Sequence, residues 1–290
     1  MDFRTDLALE RSEIYGDNLP SGVVCSKEEA SEVTITRIEI TSEEGAEAIG
    51  KPCGKYITAE VPPFKRNGEA SDESVQLLAD EIAALLPKEG TVLVAGLGNR
   101  DITPDALGPV FCDKIFATRH IEKELAQNLG LGDLRPVVSL IPGVLGKTGM
   151  ETSETLEGAV KKISPVAVIT VDALAARRLS RLGSTVQISN VGVVPGSGVG
   201  NARMEISEKS LGVPVIAIGV PTVVDAATLV TDLGGGDEAD EKLIREGADM
   251  MITPREIDLV IERAARLVSL SVNKALQPHL STDEITILVS

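Results

Sequence analysis

Hydrophobic positions along the chain switch between two periods. Residues 33–40 alternate apolar and polar side chains, and residues 56–61 do so more weakly, which predicts two strands, the second closed by Pro62 and Pro63. Residues 71–86 take the helical period: Val75, Leu78, Ile82, Leu85 and Leu86 share one face behind an acidic first turn. Val92-Leu93-Val94-Ala95 is then continuously apolar and runs into Gly96 and Gly98, the pattern of a strand covered on both sides and closed by a tight turn. Thr103 and Pro104 can open a helix, with Leu107, Phe111 and Ile115 as its inward stripe.

The same grammar repeats downstream. Apolar runs at 137–141, 166–171 and 213–218 predict further buried strands, the second ending on Asp172 and the third at Gly219 to Thr222 with a helix behind it. Between them come a helix over about 150–163, a strand of mixed polarity at 184–189 and a glycine-rich loop from Gly192 to Asn201. A long amphipathic helix over 257–276 closes the chain, and residues 284–289 read as an added edge strand. Strand alternating with helix predicts an α/β fold: a doubly wound, mostly parallel sheet with helices on both faces. Without a repeat or linker, a single unit is expected, residues 7–70 forming an N-terminal β annex and 71–290 the main core. Residues 1–30 read as a loosely packed leader, and Gly234-Gly235-Gly236 with the acidic run after it as a surface connection.

Composition narrows the function classes. The 290 residues carry 28 basic and 44 acidic side chains, net −16, a balance that repels nucleic acid and anionic membranes, so neither is expected as a direct ligand. The N-terminus has no apolar signal core and no run reaches membrane-spanning length. Cys25, Cys53 and Cys112 show no paired spacing, which points to reduced thiols in the cytoplasm and to neither a zinc site nor a disulfide framework. His120 and His279 are the only histidines, and their polar settings favour neither as a catalyst. A dinucleotide loop at Gly96 fails because the third glycine position is Asp101, whose charge would face a pyrophosphate.

Two acids remain, Asp105 and Asp172, each beyond an apolar run where open α/β sheets gather their ligands. Close together, two carboxyl groups share one proton, and such a pair can activate water while protonating a leaving nitrogen. From spacing alone Asp105 also serves as helix-end electrostatics, and Asp172 as the cap of a helix Ala173-Leu174-Ala175-Ala176.

Longer blocks carry a resemblance. Gly96-Leu97-Gly98-Asn99, Thr103-Pro104-Asp105-Ala106-Leu107-Gly108-Pro109, Val171-Asp172-Ala173-Leu174-Ala175-Ala176-Arg177, Pro195-Gly196-Ser197-Gly198-Val199-Gly200-Asn201 and the stretch 212–226 resemble, in order, the germination protease of spore-forming bacteria. That family's fold is similar to the hydrogenase-maturation endopeptidases. The resemblance implies an endopeptidase of the spore core that degrades small acid-soluble spore proteins, an atypical aspartic-type enzyme with Asp105 and Asp172 as the catalytic pair and no metal or other cofactor. It also implies a homotetramer made as a zymogen, residues 1–6 being a short propeptide removed by a self-cut between Asp6 and Leu7. Cleavage after an acidic residue calls for a cationic partner, with Arg177 and Arg203 as candidates beside Asn99 and Gly198 as substrate-binding residues. The propeptide is shorter than in other members, and the region 231–241 is abbreviated where they carry an insertion. Two alternatives compete: a metal-dependent endopeptidase in which Asp105, Asp172 and Glu151 hold a divalent ion, and a non-catalytic module that binds acidic peptides.

Overall fold

A nine-stranded mixed sheet organises the molecule, seen in a computed structural model that describes residues 4–64, 71–233 and 250–290. The strands are β1 (Val23–Ala30), β2 (Val33–Ile40), β3 (Gly54–Glu60), β4 (Val92–Gly96), β5 (Val137–Leu140), β6 (Ala167–Ala176), β7 (Thr185–Ser189), β8 (Val215–Asp225) and β9 (Met251–Ile252). They lie in the order β1-β2-β3-β7-β8-β6-β4-β5, with β9 on β8. The β8-β6-β4-β5 half is parallel, whereas β1, β2, β3, β7 and β8 pair antiparallel, so the annex strands continue the same sheet.

The continuous apolar run of β4 is explained by burial on two sides. Val92 and Val94 face a core completed by helices Asp72–Leu85, Leu107–Cys112 and Ile257–Leu276, through Leu78, Phe111 and Leu267 among others. Leu93 and Ala95 face the opposite layer, where Leu156 and Val160 of helix Thr152–Ile163 cover them. Ser71 caps its helix by accepting from Ser74 N–H, and Glu151 and Glu154 form a capping box.

Five local expectations change. Residues 4–30 are not a loose leader: Leu7 is 0% exposed against Leu174, Ala176 and Val224, helix Ala8–Ser12 follows, and β1 forms the sheet edge. Local pattern did not show the partners of these residues, because Leu7 packs on β6 and β8 while Ala8 and Leu9 pack with Val23, Ile38, Ile40, Ile49 and Tyr56. Residues 173–176 extend β6 instead of starting a helix, so Asp172 sits inside a strand. Pairing with β8 on one side and with Asp6 on the other outweighs the helical preference of alanine. β8 likewise runs through Pro221 to Asp225, with a register shift beside Pro221 that lets the strand pass the missing N–H. Residues 284–288 fall in helix Thr282–Leu288, with Val289 closing it, nucleated by a Ser281–Glu284 capping box, and Ile287, which the alternating pattern made a strand residue, is 75% exposed. The helix expected from Thr103 begins instead with a single 3-10 turn, Thr103–Asp105, before Leu107–Cys112. The expected connection at Gly234 to Gly236, and most of the abbreviated 231–241 region, lie outside the described residues.

Candidate active site

Asp105 is delivered by the chain reversal after β4. Gly96 and Gly108 let the strand end and the following helix touch: a Cβ on Gly96 would lie 2.0 Å from the Gly108 carbonyl oxygen. Gly98 adopts φ +102°, and a side chain there would lie 2.1 Å from the Asp105 carbonyl oxygen, so the turn requires glycine. Folded back in this way, Asp105 Oδ2 accepts the Asn99 N–H at 2.8 Å. Burial raises its pKa above the ordinary carboxylate value, against the opposing effect of that hydrogen bond.

Asp105 lines a cavity of about 460 Å³, and Asp172 lines it too, from the middle of β6. It is 6% exposed and accepts the Ala173 N–H at 2.9 Å. Its pKa is pushed up to about 8, first by burial, then by the charge of Asp105, with Asp6 adding to it and the Ala173 hydrogen bond opposing. Of the two, Asp172 is the group that burial and the neighbouring Asp105 charge hold in the protonated form near neutrality. An acid able to donate and a base able to accept stand in one cavity.

A third acid enters from the chain's own N-terminal segment. Asp6 also lines the cavity, and its backbone docks on the edge of β6, with Asp6 N–H donating to Ala175 O at 2.9 Å. Its carboxylate accepts from Ala175 N–H at 2.9 Å and from the Ser197 hydroxyl at 2.9 Å. Gly198 makes room: a Cβ there would lie 2.1 Å from Asp6 Oδ2. Lys51 lies within charge range of Asp6; burial lowers its pKa, Asp6 acting to raise it and Arg11 to lower it.

On either side of Asp6 the segment is tied down. Gln187 on β7 donates from Nε2 to Asp6 O at 3.2 Å and accepts Ala8 N–H at Oε1 at 2.8 Å. Arg4 pairs with buried Asp225 at 3.2 Å. Glu10 is buried, takes the hydroxyl of Thr5 and the N–H groups of Arg177 and Arg178, and lies 3.3 Å from Arg181, which also binds Glu13.

Of the residues named from sequence, Asp105, Asp172, Asn99, Gly198 and Arg203 line the cavity together with Asp6. Asn99 acts on Asp105 through its backbone, and Gly198 acts by leaving space for the Asp6 carboxylate. Arg177 is not part of the cavity lining, and its backbone N–H goes to Glu10. Glu151 reaches the cavity too, but among the described residues no group of three or more His, Cys, Asp or Glu side chains is placed to hold a metal ion. Among the described residues no helix is long and apolar enough to cross a membrane. Sequence reasoning missed Gln187, Ser197, Lys51 and Glu10. Ser197 lay in the glycine-rich loop from Gly192 to Asn201, whereas nothing local distinguished Gln187 from any polar strand residue.

Comparison with known proteins bears on this arrangement. A family model described as germination protease matches residues 6–234. The germination protease of Caldanaerobacter subterraneus is 42% identical over 100% of this chain and 98% of its own, and that of Clostridium perfringens is 41% identical over 97% of each. The Priestia megaterium protein is 37% identical over 97% of this chain and 95% of its own. Among solved structures, the NiFe hydrogenase maturation protease HycI of Thermococcus kodakarensis aligns with 66% of this chain and 98% of its own at 17% identity and a TM-score of 0.35. With the family's pattern running from Asp6 through both cavity aspartates, and relatives aligned along almost the whole chain, this protein belongs to the germination protease family and is a protease.

Proposed function

We propose that the chain is an endopeptidase of the spore core that begins the breakdown of small acid-soluble spore proteins, cutting after an acidic residue, and that it is made as a self-processing zymogen cut between Asp6 and Leu7. The observation that carries this reading is Asp6 itself. An acidic residue, followed by Leu7, lies backbone-paired to β6 in the cavity that holds Asp105 and Asp172. A strand-like segment docked on a sheet edge is how an extended peptide substrate is held, main-chain bonds giving affinity and a side-chain pocket giving specificity.

In the mechanism, ionised Asp105 takes a proton from a water that adds to the Asp6 carbonyl carbon, and protonated Asp172 supplies the proton that the Leu7 nitrogen needs to leave. Placing the acid on Asp172 follows its greater burial; Asp105, more open and with its carboxylate held by Asn99 N–H, is the base. Specificity for an acidic residue rests on Ala175 N–H, the Ser197 hydroxyl and the gap at Gly198, with Arg203 at the cavity wall. The family resemblance further suggests assembly as a homotetramer, which sedimentation would check.

Intact mass after mild acidification tests the reading: loss of the first six residues in the wild type and their retention in Asp172→Asn is the expected result. A wild type that keeps its N-terminus and cuts no acidic-site peptide would sink it. Activity that vanishes with a chelator would replace the proton-sharing pair by a metal-bound one.

A further inference from the structure

We propose that Gln187 is a catalytic residue of the self-cut, its side-chain N–H stabilising the negative charge that develops on the Asp6 carbonyl oxygen. This rests on the reading that the Asp6–Leu7 bond is the one broken. Gln187 straddles that bond: Nε2 donates to Asp6 O at 3.2 Å on one side, and Oε1 accepts from Ala8 N–H at 2.8 Å on the other. The second contact fixes the orientation of the first. Ala8 N–H accepts nothing, so the amide must turn its oxygen there, and its two hydrogens then face Asp6.

The support is rigid. Gln187 is 9% exposed and sits in the middle of β7, with Thr58 of β3 and Gly219 of β8 as its strand neighbours. A donor held by a sheet and facing a carbonyl away from bulk water is the arrangement that stabilises a tetrahedral oxyanion without reorganising during reaction. The step balances. Water oxygen bonds to the Asp6 carbonyl carbon as its proton passes to Asp105, and the carbonyl electron pair moves onto the oxygen facing Gln187. The C–N bond then breaks as the carbonyl reforms, the Leu7 nitrogen takes the Asp172 proton, and the proton on Asp105 returns to Asp172. The products are an Asp6 carboxyl and a Leu7 amine. A substrate protein presenting the same backbone groups would meet the same donor.

The test uses the full chain and two variants, read by intact mass for the self-cut and by kcat and KM on a peptide covering residues 4–11. Gln187→Glu keeps the acceptor for Ala8 N–H and replaces the donor by an anion. The expected result is a kcat lower by about 100-fold or more with KM within a few-fold, a deficit that narrows as pH falls and the new carboxyl becomes a donor again. Gln187→Met keeps the shape and loses both ends, so kcat falls similarly while KM also rises, with the melting temperature confirming folding. A Gln187→Glu enzyme within threefold of wild-type kcat at neutral pH overturns the proposal, as does a fall in kcat that no pH change relieves. If Asp172→Asn is inactive while Gln187→Glu is not, the cleavage reading stands and Gln187 alone is removed. A wild type that never releases residues 1–6 removes both.

Discussion

The two halves of the sheet divide the work of the site. On the parallel half, the turn after β4 and the middle of β6 bring Asp105 and Asp172 into the cavity, and burial raises the pKa of both. The antiparallel half carries no acid of the pair. Through Gln187 of β7 it grips the backbone of the N-terminal segment instead, while the edge of β6 and the Gly192 to Asn201 loop receive the Asp6 side chain. The comparison teaches that the two acids belong to the parallel half alone, while the hold on the N-terminal segment is shared between β6 and the antiparallel β7.

The strongest break lies in the parallel half. Asp172→Asn should lower cleavage by about 10³-fold, as loss of a proton-transfer group does, measured as initial rate on an acidic-site peptide. It should also alter the pH dependence of stability. Asp172 holds its proton up to about 8 when folded, whereas an unfolded aspartate releases it near ~3.9. The wild type therefore loses stability as pH rises between those values, and the amide does not. The gain in melting temperature of Asp172→Asn over wild type should widen from pH 5 to pH 9; an equal gap at both would refute the raised pKa.

Across the divide, Gly198→Ala should slow the self-cut by about 100-fold, because misplacement of a reacting group by an ångström costs that much, and its methyl would overlap the Asp6 carboxylate. The acids are untouched, so the pH profile of residual activity should keep its limbs. Glu10→Ala removes the buried partner of Arg181 and of three donors. Loss of one member of a buried ion pair costs about 3 kcal/mol, to be read from denaturant unfolding, and self-cutting should slow more than cutting of an added peptide. The smallest effect concerns specificity. Ser197→Ala should reduce the preference for Asp over Asn before the cut by about tenfold, the worth of one hydrogen bond to a charge, and Arg203→Glu should reduce it less. The reverse ranking would return the acidic pocket to the guanidinium.

Much of the parallel half was legible in advance. The four apolar residues Val92 to Ala95 ended by Gly96 marked a two-sided strand, and the acids beyond it and after Val171 line one cavity. The boundaries failed where pairing partners were distant: Ala173 to Ala176 looked helical until β8 and Asp6 flanked them. The N-terminal segment looked exposed because its apolar and acidic residues are satisfied by distant groups on β6, β7 and β8, in the 177–181 stretch and at Ser197.

The chain's periodicity determined which stretches are buried and on how many faces, since that depends only on which side chains avoid water. The positions of Asp105 and Asp172 beyond apolar runs were visible in the same pattern, whereas the Asp6–Leu7 pair was singled out by the family resemblance alone. Tertiary structure alone decided that Gln187 meets a carbonyl 181 positions away, that Ala175 and Ser197 receive the Asp6 carboxylate, and that Asp172 keeps its proton near neutrality. Desolvation and long-range hydrogen bonds depend on what the folded chain packs around a group, and local pattern does not encode those neighbours.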